Sequence, residues 1–419
     1  MGEASWSVPL SDVLVDDELV EAAGSAVRSG WWSMGPRVEE FERAFAEFSG
    51  ARHAFAVSSG TSALHLALVA CGCGPGDEVV LPSLNFVAAA NSIAHTGATP
   101  VFCDIRGAND LNLDPDDLES AVTPRTKALL VLHYGGHPCD MARILEIARA
   151  RGLAVIEDAA HAPGATWRGR ACGTLGDIGC FSFFSNKNLA IGEGGAVVTD
   201  DDELADRVRL LRSHGMTTLT WDRHRGHAHT YDVVAQGFNY RLDELRAAIG
   251  LIQLRRLPAA NLARAVLVAR YRSLLHGLEG TIMPFEDGSE SSTANHLAVA
   301  ILPPGTPRDA VREALRENGV QTSVHYPPIH RFSRYREAGP SRPLPCTEDI
   351  AERLITLPLF PHMTEDQVDL VAAELVGALA ARGGASASRK TRLGETHEAK
   401  ESSPAWRPPR RKTYPNDEF

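Results

Sequence analysis

Apolar residues along the chain recur in two rhythms, and the rhythms alternate. Near the start, "DELVEAAGSAVRSG" sets Leu19, Val20, Ala23 and Val27 at helical spacing, and "VEEFERAFAEF" does the same with Val38, Phe41, Phe45 and Phe48. Short apolar runs then predict buried strands: "HAFAVSS", "EVVLP", "TPVFCDI", "KALLVLHY" and "LAVIED". Between them lie helical patterns, "TSALHLALVAC", "NFVAAANSIAHTG" and "MARILEIARARG". Strand and helix in alternation predict an α/β fold, a largely parallel sheet with helices on both faces. Ligands of such sheets bind at the carboxyl ends of the strands. Further on, "RLDELRAAIGLIQLRRL" and "LPAANLARAVLVARYRSLLHGL" predict two long helices. The order then changes: "NHLAVAIL" reads as a strand, "RDAVREALRENG" as a helix, and "VQTSVHYPP" as a strand entering a loop. We expect a large domain over residues 1–261 and a smaller C-terminal domain over 262–383. Residues 384–419, rich in Ser, Arg, Lys, Glu and Pro, bury too little apolar surface to order themselves and are expected to be disordered.

Composition narrows the functional classes. The 419 residues are 44% hydrophobic and 23% charged, as in a soluble globular protein. A formal charge of −11 argues against nucleic acid as a partner. No stretch approaches the ~20 apolar residues of a membrane span, and the first residues do not read as a signal peptide. Seven cysteines without a CxxC pair point to reduced thiols, and so to a cytoplasmic location. Cys71 and Cys73, at a helix end, read as packing residues. His214, His224, His227 and His229 cluster in "HGMTTLTWDRHRGHAHTYD" but lack the spacing and companion ligands of a metal site. They read as a loop beside the active site, with no metal. The basic stretch from Arg407 to Lys412 reads as a solvated chain end.

Three segments carry candidate chemistry. In "SSGTSAL" (Ser58–Leu64), Gly60 permits a turn into a helix, and Thr61 and Ser62 bring hydroxyl and N–H groups to its start. That suits an anion, although a helix cap without a ligand uses the same residues. In "VIEDAAHAPGA", a buried strand ends in Glu157 and Asp158, with His161 following. Such an acid points into the ligand crevice or caps a helix. In "CFSFFSNKNLAIGEGGAVVTD", Lys187 lies between aromatics and glycines. A lysine in a partly apolar pocket becomes a nucleophile toward carbonyls, whereas one at a strand end can snorkel to solvent. Together, a phosphate cradle, a carboxylate and a lysine are what pyridoxal 5'-phosphate requires. Phe86, after "VVLP", is available to lie over its ring.

The sequence resembles the DegT/StrS-type sugar aminotransferases, pyridoxal-phosphate enzymes of the aspartate-aminotransferase fold (fold type I). The resemblance spans about Val8 to Leu375. It rests on "SGWWSMGPRVEEFERAFAEF", "VSSGTSALHLAL", "GPGDEVVLPSLNFVAAANSI", "LHYGGHPCDM", "VIEDAAHAPGA", "GDIGCFSFFSNKNLAIGEGGAVVT", "GFNYRLDELRAAIG" and "VHYPPIH", in the family's order. It implies a large domain with a mainly parallel seven-stranded sheet and a smaller α+β domain. It also implies roles. Lys187 resembles the lysine that forms the Schiff base with the cofactor. Asp158 resembles the pyridinium partner, and His161 a residue near the ring hydroxyl. Gly60, Thr61, Ser62 and Ser182 match phosphate-binding positions, and Phe86 the stacking aromatic. Asn239 matches an asparagine that reaches the neighbouring subunit's phosphate, so a homodimer with shared sites is implied. His325, Tyr326 and His330 fall where the family lines its substrate pocket. The chain departs from the family with Asn85 and Ala89, where Thr is usual, and with Asn186. Relatives that dehydrate sugars carry histidine in place of the lysine, and Lys187 argues against that chemistry. The implied function is amino transfer from an amino acid, glutamate first, to a nucleotide-linked keto sugar, a dTDP-4-keto-6-deoxyhexose before a 3-keto sugar or a keto-cyclitol. The rival class is a regulatory protein with a vestigial cofactor site. Against it, a competent residue fills every cofactor role.

Overall fold

A computed structural model describes residues 6–218, 230–285, 291–336 and 342–389, with side chains to 381. Residues 384–389, expected to be disordered, continue the last helix; residues 390–419, and His224, His227 and His229, lie outside the described residues. Contacts gather the described residues up to 379 into one compact unit.

After helices α1 (Asp17–Arg28) and α2 (Pro36–Ser49) the chain alternates. Strand β1 (His53–Val57) leads to α3 (Gly60–Ala70), β2 (Glu78–Pro82) to α4 (Ala88–Thr96), and β3 (Thr99–Cys103) to a hairpin of β4 (Ile105–Gly107) and β5 (Asp110–Leu113). Then come α5 (Pro115–Ala121), β6 (Thr126–Leu132), α6 (Met141–Arg151) and β7 (Ala154–Asp158). Two short strands, β8 (Thr166–Trp167) and β9 (Arg170–Ala171), precede β10 (Ile178–Ser182), β11 (Gly195–Thr199) and α7 (Asp202–Leu211). One seven-stranded sheet results, in the order β1-β11-β10-β7-β6-β2-β3. Only β11 runs antiparallel to its neighbours.

Both faces of the sheet are covered, which is why its strands read as unbroken apolar runs. Side chains still alternate. Ala54 and Ala56 of β1, Val155 of β7 and Phe181 of β10 enter the core that holds Phe41 and Phe45 of α2. Phe55, Val57, Ile156 and Cys180 enter the core under α3, α4 and α7.

The remaining elements are α8 (Glu244–Leu275), β12 (Ser291–Ser292), β13 (Ala298–Ile301), α9 (Arg308–Glu317), α10 (Ser333–Arg336), α11 (Pro345–Arg353), β14 (Leu354–Leu357) and α12 (Glu365–Arg389). Three sequence expectations change here. The two long helices are one: α8 runs through Pro258. An internal proline costs about 3 kcal/mol, and packing outweighs it. Leu254 and Leu257 bury in the core with α2, while Leu267, Val268, Tyr271 and Leu275 bury in another with β13 and β14. The boundary expected at 261/262 thus falls inside a helix whose two halves serve different cores. Second, "VQTSVHYPP" is no strand. Its β-pairing among the described residues is limited to the isolated bridges Val8–Val320 and Ser323–Thr356. Third, α1 buries Leu19 and Ala26 but leaves Val20 61% and Val27 46% exposed.

Candidate active site

The carboxyl ends of β1, β7 and β10, with the loops that follow β2 and β10, surround a cavity of about 360 Å³. Its wall takes Gly60, Thr61, Phe86, Asp158, His161, Ser182, Lys187, His325 and Tyr326 from the expected residues.

The cradle forms where β1 turns into α3. The first N–H groups of a helix lack intrahelical acceptors. Ser59 caps the helix, its side chain accepting from the Ser62 N–H at 3.0 Å. The N–H groups of Gly60 and Thr61 are left at the cavity, where the helix dipole favours an anion. Gly60 is required by close approach. A Cβ there would lie 2.8 Å from Cβ of Ser182. Ser62 turns away, its Oγ 2.9 Å from both Ser58 Oγ and Ser59 Oγ. Ser59, not singled out in the sequence, lines the wall instead.

Strand alternation separates the two acids that end β7. Glu157 faces the α2 side, fully buried. It accepts backbone N–H groups of Gly173, Leu175 and Gly176 at 2.6–2.7 Å and pairs with His133 at 2.8 Å. It ties down the segment before β10. Asp158 faces the cavity and accepts from the Ala160 N–H at 3.2 Å. Burial raises its pKa, against the pull of that N–H, Lys187 and His133.

The same alternation explains the setting of Lys187. Phe181 and Phe183 pack edge-on against Phe45 at 5.0 and 5.3 Å, anchoring the strand end. Ser182 emerges opposite, facing Gly60. The chain then turns, with the Lys187 N–H donating to Phe184 O at 2.8 Å. Gly195 lets β11 return beside it, since a Cβ would meet carbonyl oxygens of Phe181 and Ser59 at 2.6 Å. Burial lowers the Lys187 pKa to about 8, and Asp158 opposes the fall.

His161 has a fixed tautomer. The Gly135 N–H donates to its Nδ1 at 3.3 Å, so the ring proton sits on Nε2 and points to Tyr326 Oη at 2.7 Å. Burial, then Lys187 and His325, hold the ring neutral. Burial, then Asp158, keeps the Tyr326 phenol protonated. Having accepted from His161, Tyr326 can donate its own proton into the cavity. Phe86 is 54% exposed, with its ring 5.7 Å from that of Tyr326.

His330 and Asn239 lie off this wall. His330 Nδ1 is 2.6 Å from Ser83 Oγ, its Nε2 meets Glu348, and Ser83 O receives the Ile329 N–H at 2.9 Å. His330 thereby fastens the segment bearing His325 and Tyr326 to the loop after β2. Asn239 is exposed and bridges to Ser213. Glu193, Phe184 and Asn186 also line the cavity. Glu193, an acid held between glycines, carried a legible signal; Asn186 stood out only as a departure from the family, and Phe184 carried none.

Two buried polar atoms on this wall have no partner among the described residues, Asn85 Nδ2 and Asn186 Oδ1. Unpaired buried polar atoms are costly unless a ligand pairs them. With the open N–H groups of α3, the acid and the lysine, they fit a flat, polar, phosphorylated cofactor.

The DegT/DnrJ/EryC1/StrS aminotransferase family matches residues 14–376. The chain is 44% identical over 368 residues to the spore coat polysaccharide biosynthesis protein SpsC of Bacillus subtilis (strain 168), covering 86% of this chain and 94% of that protein. Among solved structures, the putative sugar aminotransferase Spr1654 of Streptococcus pneumoniae, in its PMP form, superposes with a TM-score of 0.84 at 27% identity, over 90% of this chain and 100% of that one. A PLP form of Spr1654 superposes with a TM-score of 0.82. DesI, solved in the presence of its TDP-sugar product, superposes with a TM-score of 0.82 at 34% identity, over 92% of this chain and 96% of that one. Fold, cavity and relatives agree: this chain belongs to the DegT/DnrJ/EryC1/StrS family and is a sugar aminotransferase.

Proposed function

We propose that the enzyme uses pyridoxal phosphate to move an amino group from an amino acid, L-glutamate first among donors, to a nucleotide-linked keto sugar, a dTDP-4-keto-6-deoxyhexose before a 3-keto sugar or a keto-cyclitol. The observation that carries this reading is Lys187, with its pKa near 8, sharing one cavity with Asp158 and the open start of α3. The TDP-sugar product of DesI supports a nucleotide-linked substrate. When bound, pyridoxal phosphate supplies a carbonyl that carries the amine and a ring that accepts electrons. The chain's residues do the rest. Gly60, Thr61 and Ser182 would hold the phosphate, Asp158 would set its negative charge at a protonated ring nitrogen, and Phe86 would lie over the ring. Lys187 would bind the cofactor and would also carry a proton to or from the substrate carbon. With a pKa near 8 it is partly neutral and partly charged at physiological pH, as proton transfer in both directions requires.

Val20, Val27, Leu262 and Val266 are exposed, which favours a homodimer, and the family resemblance assigns Asn239 to the partner's phosphate site. The test of the function is a panel of 4-keto and 3-keto nucleotide sugars and inososes against the amine form of the cofactor. Amination of a 4-keto nucleotide sugar well ahead of the others is expected. Preference for a free cyclitol would overturn the substrate assignment.

A further inference from the structure

Three polar side chains outside the cavity wall meet directly behind Lys187. Asn261, on α8, donates from Nδ2 to Pro163 O at 2.9 Å. A carbonyl only accepts, so the orientation of this amide is set and its Oδ1 faces inward. Asn188, next to Lys187, donates from Nδ2 to that Oδ1 at 2.9 Å and to Ala294 O at 2.7 Å. Its own Oδ1 is therefore turned to His296 Nδ1, at 2.9 Å. The orientation passes along the chain of bonds and places the His296 proton on Nδ1. The ring of His296 lies 4.5 Å from that of His161, whose proton is on Nε2. Gly164 leaves room for this network. A Cβ there would approach Asn261 Nδ2 to 2.9 Å.

We propose that Asn261, Asn188 and His296 are positioning residues that clamp the loop carrying Lys187 and hold a neutral imidazole of set tautomer against His161. The inference rests on Lys187 being the reactive amine. Asn188 joins, through side-chain bonds alone, the loop of Lys187 to α8 and to the segment before β13. His296 is 5% exposed, and its titratable and charged neighbours are His161, Lys187, Arg264 and His325. All are bases or cations on separate segments. With burial they hold the ring neutral. An uncharged ring there adds no charge to the buried setting that makes Lys187 a nucleophile. Releasing the clamp admits solvent to Lys187, and its pKa then rises toward its ordinary value.

The full-length apoprotein provides the test. The rate at which Lys187 captures pyridoxal phosphate, trapped with borohydride and read by peptide mapping, follows the neutral amine and rises with pH through about 8. In His296→Phe the ring remains but the donor to Asn188 is lost. The midpoint is expected to move up by about one pH unit, which is about tenfold slower capture near pH 7. His296→Asn keeps a donor near the Nδ1 position and is expected to keep the wild-type midpoint. An unshifted midpoint in His296→Phe, with Lys187 labelled, overturns the part of His296 in the clamp but leaves the cofactor assignment standing. Labelling of another lysine in the wild type overturns the cofactor assignment itself. Selective ¹⁵N-histidine NMR of the unmutated protein decides without a variant. A neutral Nδ1–H ring at His296 between pH 6 and 8 is expected, and an Nε2–H tautomer or a charged ring contradicts the proposal.

Discussion

Lys187 and Asp158 hold each other at opposite ends of one electrostatic balance. Burial raises the acid and lowers the amine, and each opposes the other's shift. The sign of a change follows. A carboxylate favours the charged ammonium, so Asp158→Asn removes that support. The Lys187 midpoint, measured as the pH dependence of cofactor capture by the apoprotein, should fall below 8. Turnover should fall steeply too, by several kcal/mol of barrier, about the scale of a lost transition-state electrostatic contact. A midpoint that rises, or near-normal turnover, contradicts the role. Residue identities were largely legible at this scale because each has a chemical reason to be there. Which way each side chain turns was not. Glu157 and Asp158 are neighbours of equal charge, and only the alternation of β7 sends one into structure and the other into the cavity. Ser62 and His330 carried plausible donors, yet folding spends them on Ser59 and Ser83.

At the scale of elements, the site is the meeting of the start of α3 with the end of β10, and its fit depends on a missing side chain. Gly60→Ala sets a methyl 2.8 Å from Cβ of Ser182. The two elements must part, at about 1–3 kcal/mol in stability, and phosphate affinity should fall with the cradle. Thermal melts with and without pyridoxal phosphate check this, since the cofactor's stabilising shift should shrink more than the melting temperature of the apoprotein. The parallel strands and their crossover helices were readable from period alone. The break expected between two helices near Pro258 was not realised, because local grammar does not register that two separate cores grip the two halves of α8. Pro258→Ala restores an amide to the helix and should therefore raise stability by about 1–2 kcal/mol once the looser unfolded chain is counted, read as a higher melting temperature. A drop would mean that the helix needs the proline. The strand expected at "VQTSVHYPP" failed for a related reason. Its partners offer one bridge each, and a ladder needs a neighbour along its length.

For the whole molecule, the proposed shared site makes a testable demand. Asn239 stands off its own cavity and exposed, so under the proposed assembly Asn239→Ala disables the partner's site while Lys187→Ala disables its own. Co-expressed, the two variants should form mixed dimers with one site that has both residues intact. Activity above that of either parent homodimer is expected. Activity no higher than the parents, or a monomer by sedimentation at assay concentration, contradicts the shared site.

The central claim is that Lys187 is the amine that binds the cofactor, and one measurement tests it most directly. Borohydride is added to the enzyme loaded with pyridoxal phosphate, and the protein is digested and mapped by mass spectrometry. The account predicts a single phosphopyridoxyl adduct, on the peptide that contains Lys187, and none in Lys187→Ala. An adduct on any other lysine, or an unmodified Lys187 in fully loaded enzyme, would contradict it.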